Sequence, residues 1–427
     1  MKKGRMALWL AGLCCLVVVA GPARAELTLA AVFGSGMVLQ RGAPMPVWGE
    51  AAPGEAITVT LLGATATGKA AADGTWRVDL PALEAGGPYE LRVAGGPDGG
   101  GGQLLTNVWV GDVWLVAGGA TVDMYANNVP GGGDLLREAH PRLRLLHWPT
   151  VSATGPLRSP QGRVLWVDAS MESGAAAYSG LAIFFGLDLQ RQLGAPEVPI
   201  ALIQASATNS LVECWTPRPA LENDPELKPL VEAYDQAVAA YRATAEGYTA
   251  RFKEWVQAVD EAERLGAAYP PQPPLPAEPR SDPRKPCGYY DGTLAPLLPV
   301  PIKGVVWCHG DHNVQRAAQH RRLFAALIHG WREAWNNPQL PVVFTQSAGP
   351  GGEAVKEPAA DSWADLRASQ EAAKALPTTA MVPTLDIGMS AKTVPEIARR
   401  LARAALTAAY GRPMDGDGAG GAGEDAR

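Results

Sequence analysis

Gly111–Met124 reads GDVWLVAGGATVDM, and the reading of this stretch decides the fold. Val113, Trp114, Leu115, Val116 and Ala117 form an apolar, β-prone run, the pattern of a strand buried on both faces of a parallel sheet. Gly118 and Gly119 break the run. A turn at the carboxyl end of such a strand is where α/β proteins place their chemistry. The residues just past it, Ala120 and Thr121 first, are therefore where a functional group is sought. Asp123, Tyr125, Asn127 and Asn128 follow as candidates for contacting a polar ligand.

The chain has 427 residues, enough for two domains and a substantial core, and its net charge of -6 argues against nucleic acid as a partner. The first 25 residues read as an export signal. Lys2, Lys3 and Arg5 supply a positive start, Met6–Ala20 an apolar core too short for a comfortable membrane span, and Ala23-Arg24-Ala25 a small-x-small cleavage site. The mature chain is expected to begin at Glu26, secreted or periplasmic, with no membrane span after cleavage. Cys214, Cys287 and Cys308 then remain, an odd number that allows one disulfide without saying which.

Between the signal and the central strand the sequence is β-like. Short segments around Val38, Val47, Val59, Val78 and Leu91 are separated by Pro-Gly, Asp-Gly and Gly-Gly signals at sandwich-like spacing. Asp73-Gly74 is expected to turn a hairpin, and Gly95–Gly102 to be a loop joining two strands. Beyond the strand, Tyr178–Leu193 has helical spacing with Ser179 at its start and Gly194 after it, and Val198–Gln204 reads as a buried strand. Residues 225–265 are helical, as one long helix or a hairpin, without a sustained heptad to support a partner-binding coiled coil. Residues 269–286 are a proline-rich strap. Leu323–Trp335 is expected to be a helix, Leu340–Gln346 a strand, Met381–Gly388 the last strand and Val394–Tyr410 the closing helix.

Several segments resemble the sialate O-acetylesterase family of SGNH-type hydrolases. In that family the stretch matching Gly111–Met124 runs GDVWLCSGQSNM, with its serine as nucleophile. Gly36–Arg41 with Pro46–Gly49, Glu213-Cys214-Trp215, Tyr290–Pro299 with Ile302–Trp307, the W-x-x-L-R-x-x-Q pattern at Trp363–Gln370 and the A-R-R-L-A-x-A-A-L signature around Arg399, Arg400 and Leu401 all match. The resemblance implies a three-layer α/β fold around a flavodoxin-like parallel sheet, with an N-terminal β-sandwich-like domain and a helical insertion. It gives the division 1–25 signal, 26–107 β-domain, 108–215 and 287–412 the two parts of the α/β domain, 216–286 insertion and strap, and 413–427 a disordered tail. It also implies hydrolysis of O-acetyl esters on sialic acid or other glycans, without a cofactor.

The catalytic positions depart from the family. Read without gaps, the serine is Ala120; aligned on Met124, it is Val122. The acid and base of the family's D-x-H-P segment fall on Lys392 and Val394, and the last histidine of the chain is His329. Acyl transfer by this route needs a hydroxyl, a base and an orienting carboxylate. The family's glycine turn after Gln204 is replaced by Thr208 and Asn209, and its Y-Q-G-E-S-N by Cys308–Asn313. Gly310 and Asn313 keep their places, and with Gly119 and Asn209 they are the candidate oxyanion and ligand-binding residues. The sequence therefore favours a pseudoenzyme retaining an acetylated-glycan or sialic-acid-like ligand. The alternative is an active esterase using Thr121 or Ser206 with His309 or His312, Asp311 nearby; a non-catalytic interaction module is the third. A metal held by His309, Asp311, His312 and Cys308 is disfavoured, because adjacent strand residues face opposite ways.

Overall fold

The structure is a computed structural model that describes residues 26–95, 101–194, 197–352 and 362–412. The segments expected to be an export signal and a C-terminal tail, and residues 96–100 of the glycine-rich segment, lie outside the described residues. The strands are β1 (Thr28–Leu29), β2 (Val38–Gln40), β3 (Met45–Glu50), β4 (Ala56–Leu61), β5 (Ala64–Lys69), β6 (Thr75–Leu80), β7 (Gly86–Gly95), β8 (Gly101–Gly118), β9 (His140–His147), β10 (Leu165–Ala169), β11 (Ile200–Ser206), β12 (Gly304–Cys308), β13 (Val342–Thr345) and β14 (Thr379–Val382). The helices are α1 (Ala120–Asp123), α2 (Gly132–Leu135), α3 (Gly180–Leu193), α4 (Val212–Trp215), α5 (Arg218–Glu222), α6 (Lys228–Leu265), α7 (Ala317–Ala334), α8 (Ser362–Ala372) and α9 (Val394–Tyr410).

The main sheet runs β10-β9-β11-β8-β12-β13-β14, parallel from β9 to β14 with β10 antiparallel at one edge. Alternate residues of β8 serve two cores. Val113, Leu115 and Ala117 pack with Leu323, Phe324 and Trp331 of α7. Trp114 and Val116 pack with Phe185 of α3 and Leu401 of α9 on the other side. Burial on both faces is why the run carries no polar residue, and it makes the three layers. Helix α3 forms where Ser179 caps it, its hydroxyl accepting the Ala182 N–H at 3.2 Å, and it stops at left-handed Gly194.

Strand β8 crosses the expected boundary at residue 107 without a break. Its first half pairs antiparallel with β7 and parallel with β2, its second half with β11 and β12. Exposure alternates up to Asn107 and vanishes from Val108 to Gly118, so one strand belongs to both sheets. Asn107, at φ 57, marks the change. Gly95, Gly101 and Gly102 are strand residues that pair across β7 and β8 rather than loop. Asp73-Gly74 does turn, but it joins β5 to β6, which pair with different strands, β4 and β3. The paired hairpin is β4–β5, closed at Leu62-Gly63 with both residues at positive φ. The last strand is shorter than the sequence suggests. It ends at Val382 because Pro383 has no N–H for a ladder, and Thr384 to Gly388 form a turn.

The stretch expected as one long helix or a hairpin is the single helix α6, and that helix has a seam. Of the residues of α6, Val231 and Ala262 are buried, and the half-buried ones between them include Tyr234, Val238, Tyr241, Ala245, Tyr248, Phe252, Trp255 and Val259. Their alternating spacing of three and four is a heptad stripe, which the sequence reading denied. Its partner is the strap. Pro270, Pro273, Pro276 and Pro279 are half-buried, at the period of three of a polyproline II helix. Trp255 Nε1 donates to the Pro270 carbonyl at 2.9 Å, and the far end of the strap, Arg280 and Asp282, lies near Tyr234. The lengths agree between the contact points: Tyr234 to Trp255 rises about 32 Å at about 1.5 Å per residue, and Pro270 to Arg280 at about 3.1 Å per residue covers about 31 Å.

Asp112, 1% exposed, ties the chain's ends to β8. Its carboxylate accepts from Arg41 at 3.0 and 2.8 Å, from Gln40 Nε2 at 3.2 Å and from the Tyr410 hydroxyl at 2.9 Å. Removing a buried charge strands its partners. Asp112→Ala is expected to lower the unfolding free energy by about 3 kcal/mol in urea titration, and a loss below about 1 kcal/mol would contradict this role.

Candidate active site

The carboxyl ends of three adjacent parallel strands meet at one level: Gly118 of β8 is in register with Ser206 of β11 and with Cys308 of β12. Gly118 has φ +147, and a Cβ there would stand 2.2 Å from the Cys308 carbonyl oxygen. Only glycine fits, and the chain then turns at Gly119 into α1. Ala120, the first residue of α1, is exposed, whereas Val122 is completely buried in the core beneath α3 and α9. The ungapped register thus puts an exposed methyl at the tip of the turn, and the shifted register points into the core.

The hydroxyls around this turn are not where the sequence pairs them. Thr121 is 7% exposed. Ser206 Oγ and Thr208 Oγ1 both donate to the Asp123 carboxylate, one to each oxygen. Asp123 thus pins the ends of two segments beside Ala120. The hydroxyl that His309 meets is Ser210, at 2.8 Å from Nε2, and neither Thr121 nor Ser206. Ser210 gives its single proton to the Ala207 carbonyl at 2.8 Å and accepts from Trp215 Nε1 at 2.9 Å. By elimination His309 Nε2 is the donor in that contact, so the imidazole braces the turn rather than drawing a proton from the serine. Asn209 stands exposed at φ 64, the left-handed geometry expected where the family has glycine.

Two of the four oxyanion candidates, Gly119 and Asn313, donate or accept elsewhere. The Gly119 N–H donates to the Cys308 carbonyl at 3.0 Å. Asn313 is buried, its Oδ1 accepting from the Val212 N–H at 3.0 Å and its Nδ2 donating to Glu213 Oε2 at 2.9 Å. Glu213, 3% exposed, also pairs with Arg316. Gly310, at φ +130, keeps space for Gln370 Nε2, 2.9 Å from where a Cβ would lie. The four residues weighed as metal ligands diverge: Cys308 faces Thr345, His309 faces Ser210, Asp311 faces Ser347 and His312 is exposed. Lys392 is exposed before α9, and Val394 is the buried first residue of that helix. Tyr125, Asn127 and Asn128 are exposed just past α1.

Sequence reasoning missed Ser210, Glu213, Arg316 and His320 as members of this network. His320 Nδ1 bonds the Ser369 hydroxyl at 2.7 Å, and that hydroxyl donates to the Leu366 carbonyl at 2.6 Å. His309 Nδ1 and His320 Nε2 are buried without hydrogen-bond partners. Burial pushes His309 down to about 3, aided by the nearby His312 and His320, and pushes His320 down to about 4. Trp307 stacks on His309 with ring centroids 4.8 Å apart. The one signal in the chain for this network is the polar cluster after β12, placed by the strand end itself.

The fold and the placement of this turn define an SGNH-like α/β hydrolase architecture. The chain is 30% identical to a solved carbohydrate acetylesterase from Xanthomonas citri, with a TM-score of 0.70 over 90% of this chain and 76% of that one. It is 24% identical over 361 residues to the sialate O-acetylesterase of Rattus norvegicus, covering 76% of this chain and 60% of that protein. With the sialate O-acetylesterase of Homo sapiens it shares 24% identity over 316 residues, 70% of this chain and 52% of the relative. The chain therefore spans between about half and three fifths of the length of these two curated relatives. No protein-family model matches. The chain belongs to the family of carbohydrate acetylesterases that includes the sialate O-acetylesterases.

The two buried histidines make stability depend on pH. The folded state holds both neutral well below the usual imidazole range, while the unfolded chain protonates them below about pH 6.5, so the unfolded state binds more protons as pH falls. Stability is therefore lost from about pH 6.5 downward, at up to about 2.7 kcal/mol per pH unit for two protons. Burial raises Asp291 to about 6 and raises Asp311, and both work in the opposite direction over part of that range. The urea midpoint is expected to fall between pH 7 and 5, with a shallower fall in His320→Gln. A flat profile would contradict the burial of these imidazoles.

Proposed function

We propose that this chain is a catalytically silent carbohydrate acetylesterase relative that binds an acetylated glycan or a sialic-acid-like sugar without hydrolysing it. The observation that carries this reading is Ala120, an exposed methyl at the tip of the β8 turn. A methyl cannot attack an ester carbonyl, and a base helps only within hydrogen-bond reach of a hydroxyl. The nearest imidazole–hydroxyl pair, His309 with Ser210, is buried and oriented the wrong way round for proton abstraction. Asp123, Tyr125, Thr208 and Asn209 surround the exposed turn with the mixture of carboxylate, amide, hydroxyl and aromatic groups that suits a polyhydroxylated ligand. Export directed by residues 1–25 belongs to the same proposal, and N-terminal sequencing of exported protein should begin at Glu26.

The test is turnover of an acetylated chromogenic ester and of O-acetylated sialic acid by the purified protein, beside a binding titration with the same sugar. Hydrolysis at the buffer rate is expected, unchanged in Thr121→Ala, Ser206→Ala and His312→Ala. Ala120→Ser alone should not raise it, since a serine without a base is a poor nucleophile. Saturable binding is expected, weakened about tenfold by Asp123→Ala through loss of a charged hydrogen-bonding group. Turnover that Thr121→Ala, Ser206→Ala or His312→Ala abolishes would instead establish a rebuilt esterase site. Neither turnover nor binding would leave an interaction module.

A further inference from the structure

The three cysteines beyond residue 25 are buried free thiols, but they are not equivalent. Cys308 ends β12 inside the sheet, its thiol hydrogen-bonded to Thr345. Cys214 of α4 and Cys287, just past the strap, sit on two segments that already touch along their length. The Cys287 N–H donates to the Glu213 carbonyl at 2.9 Å. Two residues further along, Trp215 and Tyr289 stack with ring centroids 5.1 Å apart and planes at 23°. The Cys214 thiol donates to the Arg284 carbonyl at 3.2 Å, on the strap's own final turn. A backbone hydrogen bond made one residue before Cys214 holds the two α-carbons roughly 5–7 Å apart, the span that a disulfide bridges.

We propose that Cys214 and Cys287 form a disulfide that staples the base of the α6–strap arm, leaving Cys308 as the free thiol. The step is thiol–disulfide exchange with a small-molecule disulfide such as oxidised glutathione. One cysteine thiolate attacks a sulfur of the donor and expels one glutathione thiol. The second cysteine thiolate then displaces the other, forming the protein S–S bond. Two electrons and two protons pass from the cysteines to the donor, which leaves as two thiols.

The timing follows from burial. Desolvation pushes Cys214 up to about 12 and raises Cys287 further, so neither is a ready attacking thiolate once the chain has folded. The bond forms while the chain folds, before the thiols are covered, and is then shielded from reductants. The crosslink encloses α5, α6 and the strap, the whole arm, at the point where its two ends leave the main body. It does not depend on whether the site at Ala120 hydrolyses esters.

The full chain would be refolded in a glutathione redox buffer, and also exported into an oxidising compartment, then digested without reduction and mapped by mass spectrometry. The expected result is a linked pair of peptides carrying Cys214 and Cys287, with Cys308 alkylated. The thiol count under denaturing conditions should fall by two, and the linkage should survive in Cys308→Ser. Reduction during unfolding and refolding should lower the melting temperature by about 5 °C, from the length of the loop released. Cys214 and Cys287 both alkylated in folded, refolded protein, or either one linked to Cys308, would overturn the proposal.

Discussion

Everything in this molecule hangs on a single extended segment shared between two sheets. Strand β8 completes the N-terminal sheet with one half and forms the middle of the parallel sheet with the other. Because a strand cannot twist independently at its two ends, the sheets are coupled by covalent backbone rather than by a linker. Asp112 lies at the junction and gathers Arg41 from before the strand and Tyr410 from the end of the last helix. A buried carboxylate with three donors is costly to form and more costly to break, which favours one arrangement of the chain's beginning and end over any other.

The same strand delivers the candidate site. Gly118 can approach Cys308 only because it lacks a side chain, and that approach sets the level at which β8, β11 and β12 end together. What stands at that level is a set of polar side chains bonded largely to one another. Asp123 holds two hydroxyls, His309 supports the turn at Ser210, and Asn313 joins β12 to α4 through Glu213. Most of these polar groups bond one another, while His309 Nδ1 and His320 Nε2 stay buried without partners.

The sequence disclosed the parts of this design that depend on neighbours along the chain. Val113–Ala117 announces its double-sided burial, and Ser179 and Gly194 announce both ends of α3, because composition and caps are local. The two registers for the nucleophile position could not be separated by sequence, since the choice rests on which way α1 turns: Ala120 outward, Val122 inward. The pairing of Ser210 with His309 was hidden for the same reason, the residues being 99 apart and brought together only by adjacent strand ends. The change from alternating to continuous apolar character at residue 107 reads in sequence as a junction, and in the structure it falls within one strand. The seam of α6 was missed because its aromatic and alanine residues do not resemble a leucine zipper, and its partner is a proline-rich strap rather than another helix.

That strap has a consequence for how the arm behaves among other molecules. An extended segment with a free edge ordinarily offers backbone donors to any passing strand, which is how unprotected edges recruit neighbours into aggregates. Here Pro270, Pro271, Pro273, Pro274, Pro276 and Pro279 supply no N–H, while the half-buried ones among them shield the aromatic stripe of α6. The cover over the apolar side of the helix is thus poor in backbone donors, with N–H groups at Gln272, Leu275, Ala277 and Glu278 between its prolines. A long, slender projection can extend from the body in this way and remain unattractive to strand-seeking chains.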